Sequence, residues 1–219
     1  MRLSLHYYSR MRFIVNLLPQ LTRAGNTVNK WSPAQPGLRP NLSSVVSVLH
    51  GGAEAPLILG DLPLKAHYSL LNCARHSVTM TTLSMQELAS SYPTTSFVHT
   101  FPGAVKTPAV RGLGTITRTV INAVSILAQP WMVPVNECGD RQLYAATSPR
   151  FPARASNDTG DPAPGADGSI GSGAYLLHSD GSTAGSRNIL HDFRRNKTGR
   201  LVWEHTLEMF ESICGKRDD

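Results

Sequence analysis

The stretch SFVHTFPGAVKT, residues 96–107, runs from apolar and β-branched residues into a Pro-Gly turn and leaves through a small, threonine-ended loop. A short apolar run closed by turn residues is the pattern of a strand buried on both faces, and a strand that ends in such a turn can deliver the chain to a ligand. Upstream lies a second run of this kind, SSVVSVL (43–49), which ends at Gly51-Gly52. Between the two runs, residues 66–91 carry Val78, Met85 and Leu88 toward a core at helical spacing, with an interruption in the pattern near Asn72. Strand, helix and strand at this length predict a right-handed crossover unit and hence a parallel sheet.

The same reading extends to both sides. Residues 3–23 form an amphipathic helix whose apolar positions Met11, Ile14, Val15 and Leu18 make a broad stripe. Downstream, residues 109–128 predict a helix after a glycine-rich start, and residues 136–148 a helix with Asn136 as its N-cap. Residues 149–173 are rich in Pro, Gly, Asp and Ser and predict a long surface loop. Residues 198–213 place Val202, Leu207, Phe210 and Ile213 near helical spacing. The expected fold is α/β, a partial Rossmann-like doubly wound parallel sheet (1–148) with an irregular, loop-rich C-terminal extension that ends in a helix (149–219).

Composition narrows the function classes. With 219 residues, 41% of them hydrophobic and 16% charged, the chain can bury one sizeable core. The most apolar segment, residues 119–135, is broken by Pro130 and Pro134, so no membrane span is expected. Cys73, Cys138 and Cys214 are odd in number and far apart, which implies neither a disulfide framework nor a metal site and fits a reducing compartment. The net charge of +6 is concentrated at the start, where six basic residues precede the first acid, Glu54. That beginning fits a mitochondrial transit peptide or an ordinary helix with a solvated basic face; the broad apolar stripe favours the helix and a cytoplasmic protein. No basic run with interleaved aromatics follows residue 12, so nucleic acid is not an expected partner. A small-molecule substrate is, and self-association is left open.

Four stretches, HYYSRMRFIVNLLPQL, SVVSVLHGG, HSVTMTTLSMQELA and FPGAVKT, resemble in order and spacing the later two-thirds of a short-chain dehydrogenase/reductase of the fungal secondary-metabolite kind. The C-terminal VWEHTLEMFESI resembles the last helix of that subgroup. The resemblance implies an oxidoreductase acting on a carbonyl or alcohol of a small molecule with NAD or NADP; the alternative is a truncated or degenerate homologue that binds without redox chemistry. Such proteins open with a T-G-x-x-x-G-x-G turn that holds the cofactor pyrophosphate at a helix N-terminus. No such turn occurs here, and the glycine clusters RGLGT (111–115) and GSIGSGAY (168–175) stand elsewhere in the order of elements. The chain is therefore expected to start inside the helix after the family's fourth strand.

In the family, a serine at the end of the fifth strand and a Tyr-x-x-x-Lys on the next helix move the proton. The resemblance puts Ala74 at the tyrosine, Val78 at the lysine and Ser77 between them, while the strand-end serine falls on Leu49 or His50. The nearest groups able to serve as catalytic residues are Tyr68, His50 and Ser47. Each also has a plainer reading: a half-buried tyrosine, a solvated loop histidine and a locally bonded strand serine. Ser77 is expected to bond to the preceding helical turn. Pro102, Gly103, Val105 and Thr107 are the cofactor-binding positions that the resemblance implies.

Overall fold

The computed structural model describes residues 3–26, 42–105, 132–156, 161–185 and 187–215. Its centre is a three-stranded, wholly parallel sheet in the order β1 (Ser44–Val48), β2 (Ser96–Thr100), β3 (Ala174–Leu177). Ser44 pairs with Ser96 and Val48 with Thr100, while Phe97 pairs with Ala174 and Thr100 with Leu177. The 96–100 run is the middle strand, and all five of its residues are buried.

Alternation along the strands sends successive side chains to opposite faces, and both faces are covered. On one side Phe97 and Ala174 meet α1 (Ser9–Asn26), α2 (Leu70–Ser91) and a C-terminal helix numbered α5 (Thr198–Cys214) through Met11, Leu18, Leu83, Leu88, Val202 and Phe210. On the other, Val98, Tyr175 and Leu177 meet α3 (Val135–Thr147) at Ala145, together with Phe151 and Ala163. α4 (Arg187–Arg195) adds Leu190 against Leu176. Helices on both faces of a parallel sheet are the doubly wound arrangement that the sequence predicts.

The N-terminal helix packs as its apolar stripe demands, with Met11, Ile14, Val15 and Leu18 all buried. It is preceded by a π-helical turn, Ser4–Tyr8, which seats Tyr7 at the junction of three helices. The Tyr7 hydroxyl lies 2.6 Å from both Ser84 Oγ on α2 and Thr206 Oγ1 on α5. Thr206 donates to the Val202 carbonyl, so Tyr7 donates to Thr206 and accepts from Ser84. Burial pushes the phenol up to about 12, against the opposing effect of these two hydrogen bonds, and it stays neutral. Tyr7→Phe leaves the buried Ser84 hydroxyl without its acceptor, and urea denaturation is expected to show a loss of about 1–3 kcal/mol; an unchanged midpoint would mean that the junction is held by packing alone.

The structure corrects several expectations. β1 is an edge strand and half-buried, not buried on both faces, because only β2 flanks it among the described residues. Asn72 does not interrupt α2: Ser69 caps the helix by accepting from the Asn72 N–H at 3.0 Å, and the Asn72 amide donates to the His67 carbonyl. The N-cap of α3 is Pro134, with Asn136 already inside the first turn. The region 149–173 is not a surface loop throughout. Phe151, Ala163 and Ala166 are buried, Ser96 Oγ donates to the Phe151 carbonyl at 2.8 Å, and the Tyr175 hydroxyl donates to the Pro152 carbonyl. It leads into β3, a four-residue strand that the turn-rich surroundings conceal in the sequence. Leu207 and Ile213 lie on the exposed side of α5. The helix expected over 109–128 lies outside the described residues.

Candidate functional site at the carboxyl edge of the sheet

In an open parallel sheet, ligands bind where the strands end. Three turns gather there: His50-Gly51-Gly52 after β1, Phe101-Pro102-Gly103 after β2 and His178-Ser179 after β3. They touch one another. A Cβ on Gly51 would stand 2.2 Å from the His99 carbonyl oxygen, so only glycine lets the first turn lie against β2. Gly103 takes φ +78°, and a Cβ there would meet Ser179 Cβ at 3.0 Å and Val133 at 2.9 Å. α3 fixes this edge from outside, with Thr100 Oγ1 donating to Gln142 Oε1 at 2.7 Å and Arg141 donating to the Ser179 carbonyl.

Between the end of β1 and the first turns of α2 lies a cavity of about 290 Å³. Leu49 and His50 form one wall, and Cys73, Ala74, Ser77 and Val78 the other, with His6 and Leu70 completing it. Ala74 and Val78, the helix positions that the resemblance assigns to the tyrosine and lysine, thus line the same cavity as Leu49 and His50. The side chains there are a methyl and an isopropyl group.

His50 is exposed, and its ring stacks on Phe101 with 4.1 Å between centroids and 16° between planes. Its backbone is held from within. The His50 N–H donates to Nε2 of the fully buried His99 at 3.3 Å, so the His99 proton sits on Nδ1 and is donated to Thr82 Oγ1 at 2.8 Å. Thr82 in turn donates to Oε1 of the buried Glu54 at 2.8 Å, and that oxygen also accepts the Gly52 N–H. Burial, with the nearby Arg10 and His50 charges, pushes the His99 imidazole down to about 3, so it remains a neutral acceptor. His76 makes a second pin of the same design, accepting the Ile58 N–H at Nε2 (3.0 Å) with Nδ1 3.2 Å from the Leu62 carbonyl.

Asp61 organises the loop that leads into α2. Its carboxylate accepts the N–H groups of Lys65, Ala66 and His67 at 2.7–2.9 Å and contacts the His67 ring at 3.0 Å. Burial alone would raise this carboxyl, but the donors hold it well below the usual carboxylate range. The same loop keeps Leu64, a buried non-glycine residue, at φ +54° before the chain enters α2.

Of the candidate catalytic residues, only His50 lines this cavity. Tyr68 lies before the cap of α2 and is 46% exposed, outside the lining. Ser47 points to a separate groove between α1 and β1, where Arg10 Nη1 reaches it at 3.4 Å and the Val48 carbonyl at 2.9 Å. Ser77, expected to bond to the preceding turn, has no hydrogen-bond partner among the described residues, although it is 2% exposed. Pro102, Gly103 and Val105 follow β2 as anticipated, but the Ala104 carbonyl accepts the Val133 N–H at 2.8 Å and Val105 bridges to Val133. Thr107 lies outside the described residues. Sequence reasoning missed Glu54, Thr82 and His99; the histidine sits in the quoted strand, where an apolar run containing one imidazole is itself the signal.

A nicotinamide cofactor can be weighed against these residues. In the family a lysine one turn beyond the tyrosine holds the cofactor ribose; here that position is Val78, 6% exposed, and the described residues do not fit that mode of holding it. Among the described residues no group of three or more His, Cys, Asp or Glu side chains is arranged to hold a metal ion. No described helix is long and apolar enough to cross a membrane.

No family model matches the chain. It is 38% identical to oxidoreductase AN1596 of Emericella nidulans over 95% of its own length and 60% of that protein's. It is 34% identical to oxidoreductase andH of Emericella variicolor, over 97% of its length and 61% of the relative's. It is 28% identical to the short-chain dehydrogenase/reductase SAT2 of Stachybotrys chartarum, over 96% of its length and 58% of the relative's. The chain is therefore a homologue of fungal oxidoreductases that include a short-chain dehydrogenase/reductase, and it spans about 60% of the length of these curated relatives.

Proposed function

We propose that this homologue of fungal oxidoreductases forms the substrate-side part of a short-chain dehydrogenase/reductase-type enzyme, which acts on a carbonyl or alcohol of a small molecule with NAD or NADP as redox partner. The observation that carries the reading is the cavity: the strand-end position and the helix positions of the family's proton-transfer site face each other across it. About two fifths of each relative's length lies outside the match, so the activity of a whole protein of this kind is part of the proposal.

The proton chemistry differs from the family pattern. Ala74 and Val78 carry no proton; of the two imidazoles in the lining, His6 and His50, it is His50 that stands at the strand-end position and is assigned to give a proton to a carbonyl oxygen or take one from an alcohol. Stacking on Phe101 orients the ring, and the His99 acceptor fixes the backbone that carries it. Leu49, Leu70 and Val78 exclude water from the apolar end of a bound molecule. A nicotinamide held by other parts of a whole protein of this kind would supply or accept the hydride.

The test is direct. The purified chain is mixed with NADPH or NADH and a panel of small ketones, and nicotinamide absorbance is followed. Ketone-dependent consumption of one cofactor is expected. A folded chain that binds ketones yet consumes neither would instead be a binding protein of the same ancestry.

A further inference from the structure

We infer that the cavity beside His50 is a binding site for a compact, uncharged carbonyl compound, with Ser77 as the anchor for its oxygen. The inference rests on the reading of this cavity as the substrate site, and it names the substrate class and a residue that the family pattern leaves without a role.

Three observations define the ligand. The lining contains no Asp, Glu, Lys or Arg; its polar side chains are the imidazoles of His6 and His50, the Cys73 thiol and the Ser77 hydroxyl, which suit a neutral hydrogen-bonding ligand and offer no permanent charge to an ionic one. A volume of about 290 Å³ holds on the order of ten non-hydrogen atoms at the roughly 30 Å³ each that water takes in the liquid. Lastly, Ser77 is a wall residue whose hydroxyl has no partner among the described residues. Buried polar groups are almost always hydrogen-bonded, and a helix serine ordinarily satisfies itself on the carbonyl four residues back. Ser77 makes no such bond to Cys73; its Oγ is buried and unpartnered among the described residues, and a turn to the staggered rotamer that faces the cavity would let it donate to a ligand oxygen.

The arrangement also orients the ligand. His50 and Ser77 stand on opposite walls, so a carbonyl oxygen placed between them can accept from both. The hydrocarbon body then faces Leu49, Leu70 and Val78. Cys73, one turn before Ser77 and 3% exposed, is covered when the cavity is filled.

The probe is 4-tert-butylcyclohexanone, compared with tert-butylcyclohexane and 4-tert-butylcyclohexanecarboxylate. Binding to the full chain without cofactor is read by protection of Cys73 from maleimide in a Cys138→Ser, Cys214→Ser background. The ketone is expected to protect, and Ser77→Ala to weaken it about tenfold while changing protection by the hydrocarbon less than twofold. Ala74→Phe, which fills the cavity from an exposed position, is expected to abolish protection by both. Equal protection by the carboxylate, or an unchanged ketone affinity in a folded Ser77→Ala chain, would overturn the assignment. Ketone binding of the expected pattern without cofactor consumption leaves the site standing and counts against the oxidoreductase reading alone.

Discussion

Replacing His50 by alanine is expected to lower the rate of the proposed carbonyl reduction by about 10²-fold or more, the usual contribution of a positioned acid or base. His50 is the one group among the three candidates that reaches the cavity; Tyr68 is on the surface and Ser47 is turned to Arg10 in another groove. Tyr68→Phe and Ser47→Ala should therefore leave the rate within about threefold. The substitution at His50 spares the fold, because the interaction that ties this residue to β2 is its backbone N–H on His99, which alanine retains. Free imidazole added to His50→Ala should restore part of the rate, a result that loss of ring stacking on Phe101 alone would not produce. If His50→Ala kept full activity, the proton would have to come from elsewhere and the cavity would lose its chemical role.

Acid unfolds this protein before it unfolds one without buried imidazoles. The folded state holds His99 at about 3, whereas in the unfolded chain an imidazole titrates near 6.5. A depressed native pKa gives stability that is fully present above about pH 6.5 and is lost as pH falls toward 3, since the unfolded state binds the proton that the folded state refuses. The slope is about 1.4 kcal/mol per pH unit for one such group. A protonated His99 would also turn a donor toward the His50 N–H that it now accepts, and the groups around it, Arg10, His50 and Glu54 through Thr82, form one coupled set. His76, pushed down by burial despite the Leu62 carbonyl and Asp61, acts in the same direction on the 58–62 segment. Asp61 adds a separate loss at lower pH, since its carboxylate stabilises the fold above the usual carboxylate range and must be protonated below it. Urea denaturation at pH 7, 6 and 5 measures the effect. The wild-type free energy should fall by at least about 1 kcal/mol between pH 6 and 5, and His99→Gln, though less stable at pH 7, should show a flatter profile. Parallel profiles would mean that His99 is not the responsible group.

The scaffold was readable in the sequence where patterns are long. Met11, Ile14, Val15 and Leu18 repeat over several turns of α1, and the two β-branched runs flank a helix of 22 residues, so the parallel pair and its crossover follow from periodicity and length. β3 was lost because Ala174–Leu177 is four residues long and stands behind 25 residues of turn-forming composition, which signals a loop while its few apolar members, Phe151, Ala163 and Ala166, fill the core. The candidate site was legible in outline, with His50 beside the strand-end position and Ala74, Ser77 and Val78 on the facing helix. What periodicity does not encode is the Glu54–Thr82–His99 chain, whose members come from a loop, a helix and a strand and are joined by burial rather than spacing. The same holds for Asp61, which acts on N–H groups four to six residues downstream through a loop of no regular pattern.

A nuclear magnetic resonance titration of the histidine-labelled chain with 4-tert-butylcyclohexanone tests the central claim most directly. The His50 ring signals should move with saturation, while those of His178, exposed on the neighbouring turn after β3 and outside the cavity lining, should stay in place. Movement at His178 with His50 unchanged, or no saturable movement at either, would contradict the placement of the substrate carbonyl beside His50.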